Sequence, residues 1–312
     1  MKPPLLVVGG PTGVGKTRTA VALAKRVAIE VVNADSRQVY RGMDAATGKP
    51  SAEERRAVEH HLVDVVDPDD RYQAARFLRD ARRTIAEIRE RDRLPVVVGG
   101  TGLYIRALVR GLDPAPPADP AFREELLEVA TREGRAELHR RLVATAPVLA
   151  RRLHPNDHVR VIRALEIARA GGAGPAEGEA WRQRPAEYDI VFVGLTRERE
   201  ALARRLRERA EQMAAAGLEA EVRTLLARGY DPTLPALQGI GYREFVRVIQ
   251  GALARAEAIR LMQRDTVRYA KRQWTWFMRE PGIEWIDVDA AGGPEGVAGV
   301  LEARLADRGL VG

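Results

Sequence analysis

The stretch Leu5-Leu6-Val7-Val8-Gly9-Gly10-Pro11-Thr12-Gly13-Val14-Gly15-Lys16-Thr17 decides how the remaining residues are read. Its apolar run, Leu5 to Gly9, reads as a buried strand, and a helical pattern begins at about Lys16. Between them, Gly10 to Thr17 matches the phosphate-cradling pattern in full and in the right setting, which argues against a plain glycine turn without a ligand. Backbone N–H groups of such a turn and of the helix N-terminus point at one anion. Lys16 neutralises that anion, and the Thr17 hydroxyl can hold Mg²⁺. Which phosphate compound is held stays open.

Two more strand ends carry polar residues. Ile29 to Asn33 runs into Asp35-Ser36-Arg37-Gln38. After a helical pattern over about Tyr72 to Arg91, Leu94 to Val98 runs into Gly99-Gly100-Thr101-Gly102 and the helical Leu103 to Val109. Short β-rich runs alternating with helices predict parallel βαβ units, and such sheets bind ligands beyond the carboxyl ends of their strands. A carboxylate there, Asp35, can accept a proton, and Gln38 can read an amide or a base edge. Thr101 and its glycine turn offer a second contact to negative charge. The plain alternatives stay open: Asp35 and Ser36 equally suit the cap of a turn, and Thr101 that of a helix. No aspartate closes a strongly apolar strand, so the carboxylate partner of a metal is open, with Asp35 one choice.

From Asp113 the texture changes. Pro114, Pro116, Pro117 and Pro120 break the pattern before helical stretches reaching about Ala170 and a Gly/Ala-rich segment from Gly171 to Gly178. Asp189 to Leu195 then reads as a strand returning to the sheet. The fold expected is α/β, a parallel sheet core flanked by helices with an inserted all-helical domain: core 1–113 and 186–312, insertion 114–185. Helices follow at Arg197 to Ala215, Leu218 to Arg228 and Arg255 to about Met278. A weak strand at Ile283 to Val288 and a last helix complete the pattern, and Gly217 and Gly229 fit helix ends.

The 312 residues are 45% apolar, enough for a real core, and without cysteine they exclude disulfides and thiolate chemistry. No apolar run has the length of a membrane span and no cleavable signal pattern is present, so a cytoplasmic protein is expected. The net charge is +7, and all but five of the 51 basic residues are arginine. Genome composition explains such a skew as readily as a polyanionic partner does. Between 255 and 279, Arg260, Arg264, Arg268 and Arg272 recur every four residues beside Lys271, with Trp274, Trp276 and Phe277 beyond. That face suits phosphate contacts, or is a solvated surface over a tryptophan-anchored core; Arg160 and Arg163 repeat the ambiguity. His154 and His158 have zinc-like spacing, but Pro155-Asn156-Asp157 between them is turn and N-cap chemistry, and no metal site is expected there.

As a set, Gly10 to Thr17, Asp35 to Asp44 (Asp-Ser-Arg-Gln-Val-Tyr-Arg-Gly-Met-Asp) and Gly99 to Tyr104 closely resemble motifs of the tRNA dimethylallyltransferases, or tRNA isopentenyltransferases. So do His154 to Glu166, Leu237 to Glu244 and Arg268 to Phe277. The likeness spans roughly residues 5 to 280. It implies a P-loop NTPase-like core, dimethylallyl diphosphate and Mg²⁺ as donor and cofactor, and alkylation of N6 of adenine 37, next to the anticodon on its 3′ side. The loop at 10–17 would then grip a diphosphate leaving group, Asp35 would take the N6 proton, and Thr101 would support the departing charge.

The resemblance also implies tRNA contacts at Asp35, Ser36, Arg37, Gln38, Thr101 and Arg123, and at Val159, Arg160, Val161, Ile162 and Arg163. Further contacts are implied at Ile240, Gly241, Tyr242, Arg243, Glu244 and Phe245, and at Gln273, Trp274 and Phe277 within a segment reaching Glu280. A monomer is expected. Ala45 to Gly48 and Met278 depart from the usual pattern, which bears on the substrate channel and on one RNA contact. Two rivals from other classes are a small-molecule P-loop kinase, which would consume ATP, and a non-catalytic RNA-binding protein resting on the arginine face.

Overall fold

The computed structural model describes residues 2–112, 115–171 and 186–310; Asp113, Pro114 and the Gly/Ala-rich stretch beyond Gly171 lie outside them. The chain divides into two compact units, Met1–Val109 with Ala186–Gly312, and Arg110–Pro185. In the first, the elements are β1 (Pro4–Gly9), α1 (Lys16–Ala24), β2 (Ile29–Asn33), α2 (Ala52–Ala57), β3 (His60–His61), α3 (Ala74–Glu90), β4 (Leu94–Gly99) and α4 (Gly102–Arg110). The intervening unit holds α5 (Pro120–Glu133), α6 (Arg135–Thr145), α7 (Pro147–Ala150) and α8 (His158–Arg169). The first unit resumes with β5 (Asp189–Thr196), α9 (Arg199–Met213), α10 (Glu219–Ala227), α11 (Tyr242–Ile249), α12 (Arg255–Phe277), β6 (Glu284–Asp287) and α13 (Gly293–Asp307).

The six strands form one parallel sheet in the order β3-β2-β4-β1-β5-β6. Strands β1 and β4 are apolar and β2 is buried along its whole length because both faces of the sheet are covered; within β2, Glu30 is paired with His61, Arg91 and Arg93. Leu6, Val8, Val96, Val98, Val191 and Val193 meet α1 and α13 through Leu23, Val297 and Leu301. Each such side chain contributes on the order of 1.5–3 kcal/mol when fully buried. Helix α3 buries Phe77, Leu78, Ala81, Ile85 and Ile88 along one stripe, the spacing of an amphipathic helix.

Gly9, Gly99 and Gly194 stand in register at the carboxyl ends of the three central strands. A Cβ on Gly99 would lie 2.2 Å from the Ala34 carbonyl oxygen, so glycine lets the loops after β2 and β4 touch.

The second unit has its own core of Leu126, Val129, Leu138, Leu142, Leu149, Val161 and Leu165. Two of its helices, α5 and α8, start on aspartates: Asp119 accepts the N–H of Phe122 with Pro120 following, and Asp157 accepts that of Arg160. His158 therefore begins α8 while His154 lies outside it. No group of three or more His, Asp or Glu that could hold a metal occurs among the described residues.

Three elements escape the sequence reading: α2, the two-residue β3 and α11. Gly217 marks a helix end as expected: its φ of +103° is non-helical, and it stands at the kink, within Ala214–Leu218, where α9 gives way to α10.

Candidate active site

The phosphate loop follows β1 and enters α1 through Gly15, whose φ of +118° only glycine adopts cheaply. Lys16 folds back over the loop and donates to the carbonyls of Gly10 and Pro11 at 2.9 and 2.8 Å. Burial pushes its ammonium down from 10.5 to about 8; Asp35 opposes that shift and Arg209 adds to it. From α9, Arg205 donates to the Gly13 carbonyl at 3.0 Å, and Arg209, four residues on, reaches Thr12 Oγ1 at 3.5 Å. Among the described residues no carboxylate forms an ion pair with Arg209, whose guanidinium is held below its ordinary value by burial and by Arg205.

Lys16, Arg205 and Arg209 line a cavity of about 450 Å³ together with Thr12, Gly13, Gly15 and Thr17, whereas Gly10, Pro11 and Val14 of the loop do not border it. Asp35, Glu54 and Glu208 also border it, so its oxygen donors are of the hard kind that Mg²⁺ takes. A second cavity, about 310 Å³, is bordered by Ser36, Arg37, Met213, Ile240, Arg243 and Tyr269 among others. Thr12, Asp35, Thr47 and Arg209 belong to both. Asp35 therefore stands where a space rich in cationic side chains meets a mixed polar and apolar one. Burial and the nearby Asp35 charge push the Tyr269 phenol up to about 12.

The turn-capping reading of Asp35 is also present, since its Oδ1 accepts the Arg37 N–H at 2.8 Å. Thr101 lines neither cavity. Its hydroxyl accepts the Ser36 N–H at 2.9 Å and lies 3.3 Å from Ser36 Oγ, which ties the β4 turn to the β2 turn. Gln38 faces the first cavity and donates to the Thr47 and Gly48 carbonyls, while Arg37 faces the second and donates to the Pro235 carbonyl. The unusual segment Ala45 to Gly48 is anchored by Glu221, whose carboxylate accepts from the N–H groups of Asp44 and Ala45 and from the Tyr242 hydroxyl.

Several residues expected at the RNA are interior. Val161, Phe245 and Phe277 are fully buried, and Phe277 packs on Gly9. Glu244 is buried and accepts the Gly241 N–H, while Gln273 reaches inward to the loops after β1 and β4. Tyr242 is buried too, although it borders the second cavity. Arg123 and Arg163 are engaged by Glu166. Exposed are Val159 and Arg160, whereas Ile162 and Trp274 are half-buried, the latter under the Arg199 guanidinium. The arginine stripe of α12 is partly paired within the protein: Glu257 takes Arg260, and Asp265 gathers Arg243, Arg264 and Arg268.

The reading from sequence missed Arg205, Arg209, Tyr269 and Glu221. The one-turn spacing of Arg205 and Arg209 is a signal, but in so arginine-rich a chain nothing marks which guanidinium turns inward.

A parallel α/β sheet with a phosphate loop, a cation-lined cavity at its strand ends and a carboxylate shared with a second cavity defines an α/β phosphate-loop protein. The chain belongs to the IPP transferase family, whose model matches residues 38–280, while an isopentenyl transferase model matches residues 3–65. A tRNA dimethylallyltransferase of Desulforudis audaxviator is 47% identical over 296 residues, 95% of this chain and 96% of that one. The crystal structure of the full-length tRNA isopentenylpyrophosphate transferase from Bacillus halodurans superposes with a TM-score of 0.72 at 39% identity, over 99% of this chain and 98% of that one. A eukaryotic dimethylallyltransferase caught acting on tRNA gives 0.74 at 27% identity, over 91% and 74%.

Proposed function

We propose that this protein transfers a dimethylallyl group from dimethylallyl diphosphate to N6 of adenine 37 in tRNA, releasing diphosphate. The observation that carries this reading is the place of Asp35, at the junction of the cavity lined by Lys16 and Arg209 with the cavity lined by Arg37 and Tyr269. The first space suits a leaving diphosphate and the second a base drawn out of its stack with the allylic chain beside it. The N6 lone pair forms the new C–N bond as the C–O bond breaks, and diphosphate departs with that electron pair. Asp35 takes the proton lost by nitrogen. Lys16, Arg209 and the loop N–H groups stabilise the charge that gathers on the departing oxygens.

Thr17 is the side chain that would hold Mg²⁺, and the oxygen donors that border the same cavity fit it. The ion would add positive charge at the leaving group. Ser36, Arg37, Gln38, Ile240 and Arg243 would meet the RNA near the base. In the helical insertion, proposed as residues 114–185, Val159 and Arg160 present an exposed edge for it. The protein would act as a monomer in the cytoplasm, to which its lack of cysteine is suited; among the described residues no helix is long and apolar enough to cross a membrane.

The deciding experiment offers labelled dimethylallyl diphosphate or labelled ATP, each with and without tRNA. Label is expected on tRNA from the allylic donor alone, and phosphate appearing on a metabolite would overturn the reading. Asp35→Asn keeps the oxygen that accepts the Arg37 N–H, so its fold and pyrophosphate affinity should persist. Its turnover should fall by roughly 10²–10⁴, and unchanged turnover would remove Asp35 from the mechanism.

A further inference from the structure

We propose that Gln273 is a positioning residue of the transfer reaction, joining the phosphate loop to the turn that follows β4, and not an RNA contact; the proposal rests on the reading above. Gln273 sits in the last turns of α12 with a buried side chain. Its Oε1 accepts the Thr12 N–H at 2.9 Å, and its Nε2 donates to the Gly100 carbonyl at 2.9 Å. Thr12 requires an acceptor and Gly100 a donor, and a carboxamide supplies both from one rigid plane.

The fit is close. A Cβ on Gly100 would lie 2.3 Å from Gln273 Nε2, so a side chain there has to push the amide aside. Tyr269, one turn earlier, borders the second cavity, and Phe277, one turn later, packs on Gly9. Residues 269, 273 and 277 thus form the inward face of α12 across the carboxyl ends of β1 and β4. Lys271 and Arg272 on the same helix are exposed. One helix therefore carries basic residues outside and the brace between two active-site loops inside. The brace sets the spacing between the diphosphate grip and the turn whose Thr101 holds the Asp35 loop.

The test measures three quantities on the full chain: pyrophosphate affinity by calorimetry without RNA, tRNA affinity at two salt concentrations, and steady-state kcat and donor KM. Gln273→Met keeps the shape and removes both hydrogen bonds. Pyrophosphate affinity and kcat should each fall by about tenfold or more, the scale of a lost buried hydrogen bond, with tRNA affinity and its salt dependence unchanged within about twofold. Gly100→Ala displaces the amide from the opposite side and should reproduce this pattern, which covers the case in which Gln273→Met does not fold.

A fall in tRNA affinity in either variant returns Gln273 to the RNA face and overturns the proposal, as does unchanged pyrophosphate binding. Both binding measurements are independent of the chemical step. A wild-type protein that binds pyrophosphate and tRNA yet transfers nothing would refute the proposed function, while the two binding measurements would still decide whether Gln273 braces the loops or meets the RNA.

Discussion

The Thr101 hydroxyl accepts the backbone N–H of Ser36 at 2.9 Å, across 65 residues of chain. The turn after β4 thereby fixes the turn after β2 and, through it, Asp35. Thr101→Val keeps the shape but leaves that N–H without its acceptor, a cost of about 1–3 kcal/mol. Turnover should drop by about tenfold while the donor KM changes little, and Thr101→Ser should recover most of the loss. A donor KM that rises with turnover intact would show that Thr101 serves the diphosphate directly.

Lys16 makes donor binding depend on pH. An unfolded lysine keeps its proton to about 10.5, whereas the buried one releases it near 8. Between those values the unfolded chain holds more protons, so this residue's penalty on stability applies below about 8 and is relieved as pH rises toward 10.5. A diphosphate favours the ammonium form, so binding at pH 9 should take up a proton, visible as a calorimetric heat that varies with the buffer's ionisation enthalpy. Affinity should decline above about pH 8. Lys16→Met should melt higher than the wild type at pH 7 while losing pyrophosphate binding.

Arg209 is an inward cation without a carboxylate partner among the described residues, an arrangement that awaits an anion. Arg209→Met should weaken pyrophosphate binding by about tenfold or more, in line with the loss of a charge-assisted hydrogen bond. Its melting temperature without ligand should be unchanged or higher. A destabilised variant with unaltered pyrophosphate affinity would assign Arg209 to packing alone.

In the helical unit, Glu166 accepts two hydrogen bonds from Arg123, at 2.6 and 2.9 Å, one from Arg163 at 3.0 Å and the Asp119 N–H at 3.1 Å. Burial works to raise its carboxyl, but these partners hold it below the ordinary value. A depressed carboxylate contributes stability that is present above the unfolded value and is lost as pH falls through the folded one. Glu166→Ala leaves two guanidinium groups without their partner and should cost about 3–5 kcal/mol. Limited proteolysis should report the loss as faster cleavage within residues 115–171, and equal cleavage rates would refute it.

How much of the fold and the site is legible follows from which residues carry their own signal. β1 and β4 are apolar runs and β2 is a β-branched one, each ended by glycine or a polar turn, so residue pattern alone places these strands, the loops after them and Asp35. β3 is His60-His61, too short and too polar to register as a strand. Helix α2 is signalled by the Ser51–Glu54 capping box, a pattern easily lost among the loop residues around it. Motif segments are harder still, because sequence does not say which way a side chain turns: Gln273 and Phe277 stand in a basic helix and point to the sheet, while Arg209 stands among ordinary surface arginines and points to the phosphate loop.

Strand β1 pairs with β4 on one side and with β5 on the other. During synthesis the β4 partner emerges about 90 residues before the β5 partner, an interval of roughly 5–20 seconds at typical elongation rates. Throughout it the middle of the future sheet is a bare edge of Leu5 to Val8, the kind of surface on which nascent chains aggregate. Chains stalled on the ribosome near residue 150 should exchange quickly those amide hydrogens of this segment that face β5, and chains stalled well past residue 196 should protect them.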